Sequence, residues 1–306
     1  MMQQPPPEYY DQQDSDNVCF LCDDPDYERV YRVEHFGFPF EFQRCQCGMV
    51  KQTPMPNEAF FEWFFNSDLF ISARKHTEGK IWGFYDYFRD EESRLKTSKY
   101  RYWRLKRYFR SEQPLEILKI GPSTGTFLHV AQLQGHHALG VDISSEFVKY
   151  AYDQYQVDIR QGRFERLDFP PESFDVILLF NVIENIPNLA EFLAAVRRAL
   201  KPGGLFIFNH VEMKGNLLAW LQKDRYFLYR PPICYIFDRN TIRTTLDKFG
   251  FTIEKSIRDL RYMTIEKIVT LLGWRWPLRL AETLGIARIS FPIYAYPSRI
   301  SVARKG

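Results

Sequence analysis

Several things are scarce in this chain, and each scarcity removes a class of explanation. No apolar run approaches the roughly 18 residues that a helix needs to cross a bilayer. The opening MMQQPPPEYYDQQDSDN has no basic stretch followed by an apolar one. It therefore does not read as a secretory signal, and residues 1–17 are expected to form a disordered polar tail. Net charge is also scarce, at +3 from 41 Lys and Arg against 38 Asp and Glu. That balance argues against a whole-molecule field that gathers nucleic acid, and leaves room for local basic patches. Cysteine is limited to five positions, and no internal repeat is present. Cys19, Cys22, Cys45 and Cys47 form two close pairs, while Cys234 stands alone. Close pairs in a chain with no export segment point to metal thiolates in a reducing compartment, hence a cytoplasmic location, rather than to disulfides.

What is present suffices for a large core and a small satellite, since 45% of the 306 residues are hydrophobic. After the tail come residues 18–57, which carry the paired cysteines and end in the turn-rich Thr53-Pro54-Met55-Pro56-Asn57. Residues 58–113 are aromatic and basic with helical spacing. Residues 114–306 alternate short apolar runs with amphipathic segments, the pattern of an α/β domain. Strands are expected at 115–120, 138–142, 157–161, 174–180 and 205–208. Helices are expected near 124–134, 145–155, 189–200 and 239–249, with further strands near 251–258 and 290–304. The run FDVILLF at 174–180 is almost wholly apolar, as a central parallel strand buried on both faces should be.

The first of these strands enters Gly121-Pro122-Ser123-Thr124-Gly125 and then a helix. Glycines there permit close backbone approach to a ligand, and a helix start offers free N–H groups. A dinucleotide fingerprint needs glycine at 121, 123 and 126, but 123 is Ser and 126 is Thr. Alone, the turn is equally a plain strand–helix connection. Asp142 ends the second strand, 21 residues after Gly121, where a carboxylate can accept both ribose hydroxyls of an adenosine. It could instead cap the next helix, as could Ser144.

Three stretches, LEILKIGPSTGTFL, GVDIS and ESFDVILLFNVIENIPNLAEFLAAVRRALKPGGLFIF, resemble in order the class I S-adenosylmethionine-dependent methyltransferases. The likeness is to the small-molecule branch that includes the ubiquinone-biosynthesis enzymes. The resemblance implies a Rossmann-like α/β fold with a seven-stranded, mostly parallel sheet and helices on both faces, and S-adenosyl-L-methionine as cofactor. It implies that Gly121, Ser123 and Gly125 lie under the methionine and ribose. It also places Asp142 on the ribose, Ile143 on the adenine face, Arg163 and Phe164 at the adenine edge, and Asn181 beside the cofactor. Four positions depart from the family pattern: Lys119 replaces an acid, Ser123 a glycine, Arg163 an Asp, and Asn185 the His of a Glu-His pair.

Cys19-x-x-Cys22 and Cys45-x-Cys47-Gly48 supply four thiolates on two turns, enough to enclose a structural Zn²⁺ with no open position. Four free cysteines in small apolar strands are the bland alternative. CQCGMVKQTPMP is similar to a zinc-binding, ribbon-like module that precedes the catalytic domain in a subset of the same family. Between the pairs, three arginines face six acids, which argues against a ribbon that reads nucleic acid. Residues 60–110 hold 16 aromatics, among them Trp63, Trp82, Tyr85, Tyr87 and Trp103. They fit either a helical lid over the cofactor or a packing face between modules. GFYDYFRDEESR resembles a family segment ahead of the catalytic domain and favours the lid. The eight basic residues of 94–110 read as the solvated face of a helix, with an anion-binding role as the competitor. The amphipathic 258–286 could cap the acceptor pocket or make peripheral membrane contact.

Methyl transfer from a sulfonium is an in-line displacement with a neutral leaving group, so positioning carries most of the rate. A base helps when the acceptor is a hydroxyl. His210 and Glu184 fall at the carboxyl ends of strands four and five, where such sheets place ligands, and Tyr85 and Tyr87 are alternatives from the lid. The leading expectation is methyl transfer to O, N or C of a small sugar, lipid-linked or natural-product acceptor. The second is a methyltransferase-like binding or assembly protein without turnover, motivated by Lys119, Arg163 and Asn185.

Overall fold

A computed structural model describes residues 7–11, 18–35, 38–67, 70, 88–109, 111–213, 228–271 and 275–306. Trp82, Tyr85, Tyr87 and most of the tail lie outside these.

Seven strands make the main sheet: β6 (Glu116–Ile120), β7 (His137–Asp142), β8 (Asp158–Gln161), β9 (Phe174–Leu179), β10 (Leu200–Val211), β12 (Phe251–Thr264) and β13 (Ser290–Lys305). Their order is β12-β13-β10-β9-β6-β7-β8. The five from β6 to β10 run parallel, and β13 is antiparallel to both its neighbours. The order changes direction between β6 and β9, so a crevice opens at their carboxyl ends, where ligands of open α/β sheets bind.

Alternation along β10 divides the core. Phe206 and Phe208 join one cluster with Phe192, Leu193 and Val196 of helix α5 (Leu189–Ala199) and Ile242 and Leu246 of α6 (Arg239–Lys248). Leu205 and Ile207 join another with Tyr102 and Leu105 of α2 (Glu91–Leu105) and Phe127 and Val130 of α3 (Thr126–Leu133). Helices thus cover both faces of a Rossmann-like sheet. Each fully buried side chain of this size contributes about 1.5–3 kcal/mol.

A second sheet, ordered β11-β4-β3-β2, joins β2 (Tyr27–His35), β3 (Phe38–Cys45) and β4 (Val50–Thr53) to β11 (Tyr235–Ile236). The cysteine-bearing sheet therefore takes its edge strand from far along the chain. Its Phe40 and Phe42 share one hydrophobic cluster with Phe60, Phe61 and Phe64 of α1 (Glu58–Phe65) and with the main sheet. Asn57 starts α1 by accepting the amide of Phe60 at 3.1 Å.

Three expectations need correction. Part of the tail is ordered: Tyr10–Asp11 (β1) pairs with Met55–Pro56 (β5), and Tyr10 is buried against Phe40 and Phe60. The fifth strand extends well beyond 205–208, because β13 pairs with it through Val211 and Leu200 pairs with Phe174 across a bulge. Finally, the strand expected near 251–258 runs on to Thr264, held by pairing from Leu260↔Tyr294 to Thr264↔Ser290. Helices α7 (Ile265–Leu271) and α8 (Arg275–Thr283) follow it.

Candidate cofactor site and cysteine cluster

Between β6 and α3 the chain makes three left-handed residues, Gly121 (φ 61°), Ser123 (φ 54°) and Gly125 (φ 83°). At Gly121 a side chain is excluded by sterics as well as φ, since an added Cβ would lie 2.6 Å from Cγ2 of Val182. Ser123 pays the cost of a left-handed non-glycine residue. Its amide donates to Oδ2 of Asp142 at 3.0 Å, which offsets part of that strain. The other oxygen of Asp142 accepts the amide of Ser144 at 3.0 Å. Burial pushes the Asp142 carboxyl above its usual range, against the pull of these amides and of Lys119. Two buried hydroxyls beside it, Ser123 Oγ and Ser144 Oγ, have no hydrogen-bond partner among the described residues. An unsatisfied buried hydroxyl is costly and marks a place where a ligand's polar groups would fit. The turn, the carboxylate and the two hydroxyls suit an adenosyl ribose.

The other expected contacts are distributed unevenly. Ile143 is half-buried, and its carbonyl accepts Asn66 Nδ2 at 3.4 Å. Because Asn66 Oδ1 also accepts the Ser145 amide at 3.0 Å, the end of α1 is tied to the start of α4 (Ser145–Tyr155). Arg163 is buried on Glu165 and lies 3.8 Å from Glu58. Phe164 stacks on Phe169 at 5.6 Å within the core. Both side chains thus already have packing roles. Asn181 is exposed, left-handed (φ 58°), and bonded through its Oδ1 to Arg261 at 2.7 Å.

The Lys119 side chain is almost wholly buried. Its amine donates to the carbonyls of Ile120 (2.9 Å) and Gly121 (3.2 Å) and lies 4.9 Å from the Phe180 ring centroid. Burial and then the nearby Arg101 lower its pKa to about 7, against Asp142. Arg101, counted in the sequence among solvated basic residues, is instead buried. Its guanidinium grips Asp259 bidentately at 2.8–3.1 Å and lies 4.3 Å from the Phe180 ring centroid. Arg261 shares the same carboxylate at 2.8 Å, and Asn209 and Ser298 complete the network. Nothing in the sequence reading singled out Asp259; the available signal was one acid flanked by Arg258 and Arg261.

At the ends of β9 and β10, Glu184 and His210 are both buried. Glu184 accepts the Val211 amide at 2.9 Å, and burial raises its pKa to about 7 despite its amide partners and Arg261. Among the described residues, neither ring nitrogen of His210 has a hydrogen-bond partner. Burial, with Arg299 and Arg239 secondary, brings it down to about 4, so it is neutral near pH 7. Asn185 Nδ2 donates to the Asn181 carbonyl at 3.4 Å.

The sulfurs of Cys19, Cys22, Cys45 and Cys47 lie within 4.8 Å of one another, with Cys19–Cys47 at 3.7 Å and Cys22–Cys45 at 3.3 Å. A zinc tetrahedron with bonds of about 2.3 Å separates its sulfurs by about 3.8 Å, so the cluster fits the ion. Lys248 at the end of α6 donates to the carbonyl of Phe20 at 2.6 Å, fastening the first knuckle to the main domain.

Residues 118–208, which hold the glycine turn, Asp142 and the Glu184 turn, match the family model of the methyltransferase domain. The chain carries a methyltransferase domain. It is 31% identical over 95 residues to a probable S-adenosylmethionine-dependent methyltransferase of Mycolicibacterium smegmatis, covering 31% of this chain and 37% of that one. It is 32% identical over 107 residues to the demethylmenaquinone methyltransferase of Tropheryma whipplei, covering 31% and 42%. It is 31% identical over 124 residues to the phthiotriol/phenolphthiotriol dimycocerosates methyltransferase of Mycobacterium tuberculosis, covering 40% and 44%. The matches span less than half the length of these relatives. Among solved structures, magnesium protoporphyrin IX methyltransferase of Synechocystis PCC 6803 with bound SAH gives a TM-score of 0.54 at 15% identity, covering 82% of this chain and all of that one. The YcgJ protein of Bacillus subtilis gives 0.50 at 17% identity, covering 69% and 98%. These likenesses are of fold. Among the described residues, no helix is long and apolar enough to cross a membrane.

Proposed function

We propose that this protein transfers a methyl group from S-adenosyl-L-methionine to O, N or C of a small-molecule acceptor, and that its cysteine cluster holds a structural Zn²⁺. The observation that carries the reading is Asp142, a carboxylate at the end of the second parallel strand with the Ser123 amide on it and, alongside, two hydroxyls that have no partner among the described residues. Bound there, the cofactor supplies an activated methyl on a sulfonium. The chain's own part is to hold the ribose through Asp142 and Ser123, bring the backbone close at Gly121, and present the acceptor from the ends of β9 and β10. Glu184 is positioned to take a proton from a hydroxyl acceptor, while neutral His210 offers a hydrogen-bond donor and acceptor. The described ends of the aromatic block flank the proposed site: Asn66 at the end of α1 bonds the Ile143 carbonyl, and Glu91 at the start of α2 accepts the Tyr155 hydroxyl at 2.6 Å. Two relatives named for demethylmenaquinone and for phthiotriol dimycocerosates favour a small organic acceptor over a nucleic acid.

The competing reading is a methyltransferase-like binding protein without turnover, favoured by the Lys119 amine seated on the glycine turn. Calorimetric titration with S-adenosylmethionine separates the two from a non-binder. Binding that is lost in Asp142→Ala supports the cofactor site, and no heat at about millimolar ligand removes it. Turnover with an acceptor panel then divides enzyme from binder.

A further inference from the structure

The cofactor's methionine end carries two opposite charges, a carboxylate and an ammonium. The charges on this protein distinguish between them. The Lys119 amine uses two of its three N–H groups on the Ile120 and Gly121 carbonyls, and the third has no partner among the described residues. The Phe180 ring has this amine at 4.9 Å and the Arg101 guanidinium at 4.3 Å. Arg101 and Arg261 share a single carboxylate, Asp259. The other acid in the neighbourhood, Asp142, already has the Ser123 and Ser144 amides on its two oxygens. Three basic side chains, Lys119, Arg101 and Arg261, thus stand against two acids, Asp259 and Asp142, at the carboxyl edge of β6 and β9, an excess of one positive charge. An ammonium brought to this turn meets like charge in a poorly screened setting, whereas a carboxylate meets an amine with a free donor.

We propose that Lys119 selects the cofactor by its carboxylate, so that the methionine end is bound through its negative group and its ammonium points away from the glycine turn. This rests on reading the crevice as the adenosyl site. The depressed basicity of the amine, caused by burial and then by Arg101 with Asp142 opposing, adds a second signature. A carboxylate placed beside it draws a proton on, so binding takes up protons near neutral pH.

The test is calorimetry on the full chain with four thioadenosine probes: S-adenosylhomocysteine, its analogue without the amino group, its analogue without the carboxylate, and methylthioadenosine, which has neither. The deaminated probe is expected to bind about as tightly as S-adenosylhomocysteine. The decarboxylated probe should bind about tenfold to a hundredfold more weakly, the effect of one charge-assisted hydrogen bond. Proton uptake, read from titrations in buffers of different ionisation heat, should accompany the two carboxylate-bearing probes and disappear in Lys119→Met. Lys119→Glu should invert the ranking. If either variant fails to fold, the ranking on the native chain decides alone. Equal binding of the deaminated and decarboxylated probes, or tighter binding of the latter, overturns the proposal while methylthioadenosine binding keeps the adenosyl site. Failure of all four probes removes the site reading itself, and this proposal with it.

Discussion

The amide of Cys234 lies 2.7 Å from the carbonyl oxygen of Glu184. One residue further, Tyr235 pairs with Lys51 of the cysteine-bearing sheet, and the Gln52 amide returns a bond to the Cys234 carbonyl at 2.8 Å. A short backbone path therefore connects the cysteine knuckles to the turn that closes the fourth core strand. A strand at the end of a sheet has unpaired amides and is held by its neighbours, so loss of order in β4 leaves β11 without its partner.

Metal removal follows from this. Purified protein is expected to contain one zinc per chain, and a strong chelator should lower its stability by at least several kcal/mol, since a structural site of this kind is formed only with the fold. Hydrogen exchange should then quicken at 233–236 and at the Glu184 turn as well as at the knuckles. Protein purified without metal, yet equally stable, would refute the zinc assignment. Fast exchange confined to the knuckles would leave the metal and cut its connection to the turn.

Gly121→Ala tests the closeness of the turn to Val182. The added methyl would fall 2.6 Å from Val182 Cγ2 at a residue with φ of 61°. Overpacking costs about 1–3 kcal/mol, and the left-handed backbone about 1–2 kcal/mol more. Chemical denaturation should show the sum. Adding Val182→Ala should recover the packing part and leave the backbone part. A double variant no more stable than Gly121→Ala would mean that the contact with Val182 is not what excludes a side chain there.

The regular part of this fold was legible because hydrophobic pattern and turn chemistry agreed. The apolar FDVILLF became the central β9, and the helix 145–155 has the ends expected for it. The glycine turn and Asp142 were readable for the same reason, as local signals at fixed spacing. What was not legible depends on contacts distant in sequence. Arg101 looks like one more exposed cation on helix α2, and only Asp259 on strand β12 makes its burial affordable. The ordering of Tyr10 depends on Met55–Pro56 and on two phenylalanine rings, and the length of β10 on a partner strand about 90 residues later. Periodicity also could not tell that Phe164 and Arg163 are committed to packing rather than to an open edge.

Asp259 is the hinge of the buried network. Burial pushes its carboxyl up, but Arg101 and Arg261 outweigh that and hold it down at about 2. Asp259→Ala leaves the buried Arg101 guanidinium without its carboxylate, beside the partly exposed Arg261, and should cost about 3–5 kcal/mol. Arg101→Met together with Asp259→Leu should cost less than the sum of the single changes, because the charges leave together. Since the folded carboxyl titrates below the unfolded one, the ion pair contributes fully above about pH 4 and is lost as pH falls toward about 2. Acid unfolding of Asp259→Ala should accordingly be shallower. Additive single variants would show that the two residues do not act as a pair.

Glu184 gives two pH signatures of opposite sign. Its folded pKa, raised by burial to about 7, lies above the unfolded value near 4.3. The fold therefore favours the protonated carboxyl, and stability is lost as pH rises from about 4 through about 7. Catalysis of a hydroxyl acceptor needs the other form, so kcat should rise through about pH 7 while stability falls. Glu184→Gln cannot ionise. It should lower kcat by roughly 10²–10⁴, remove the pH step in rate, and flatten the fall in stability. His210, neutral throughout this range, should leave the step in place when changed to Asn and alter mainly KM. Rate and stability measured on the same preparations between about pH 5 and 9 make the comparison. A rate that stays flat, with the stability slope intact and abolished by Glu184→Gln, would remove Glu184 from the chemistry and indicate an acceptor that needs no base.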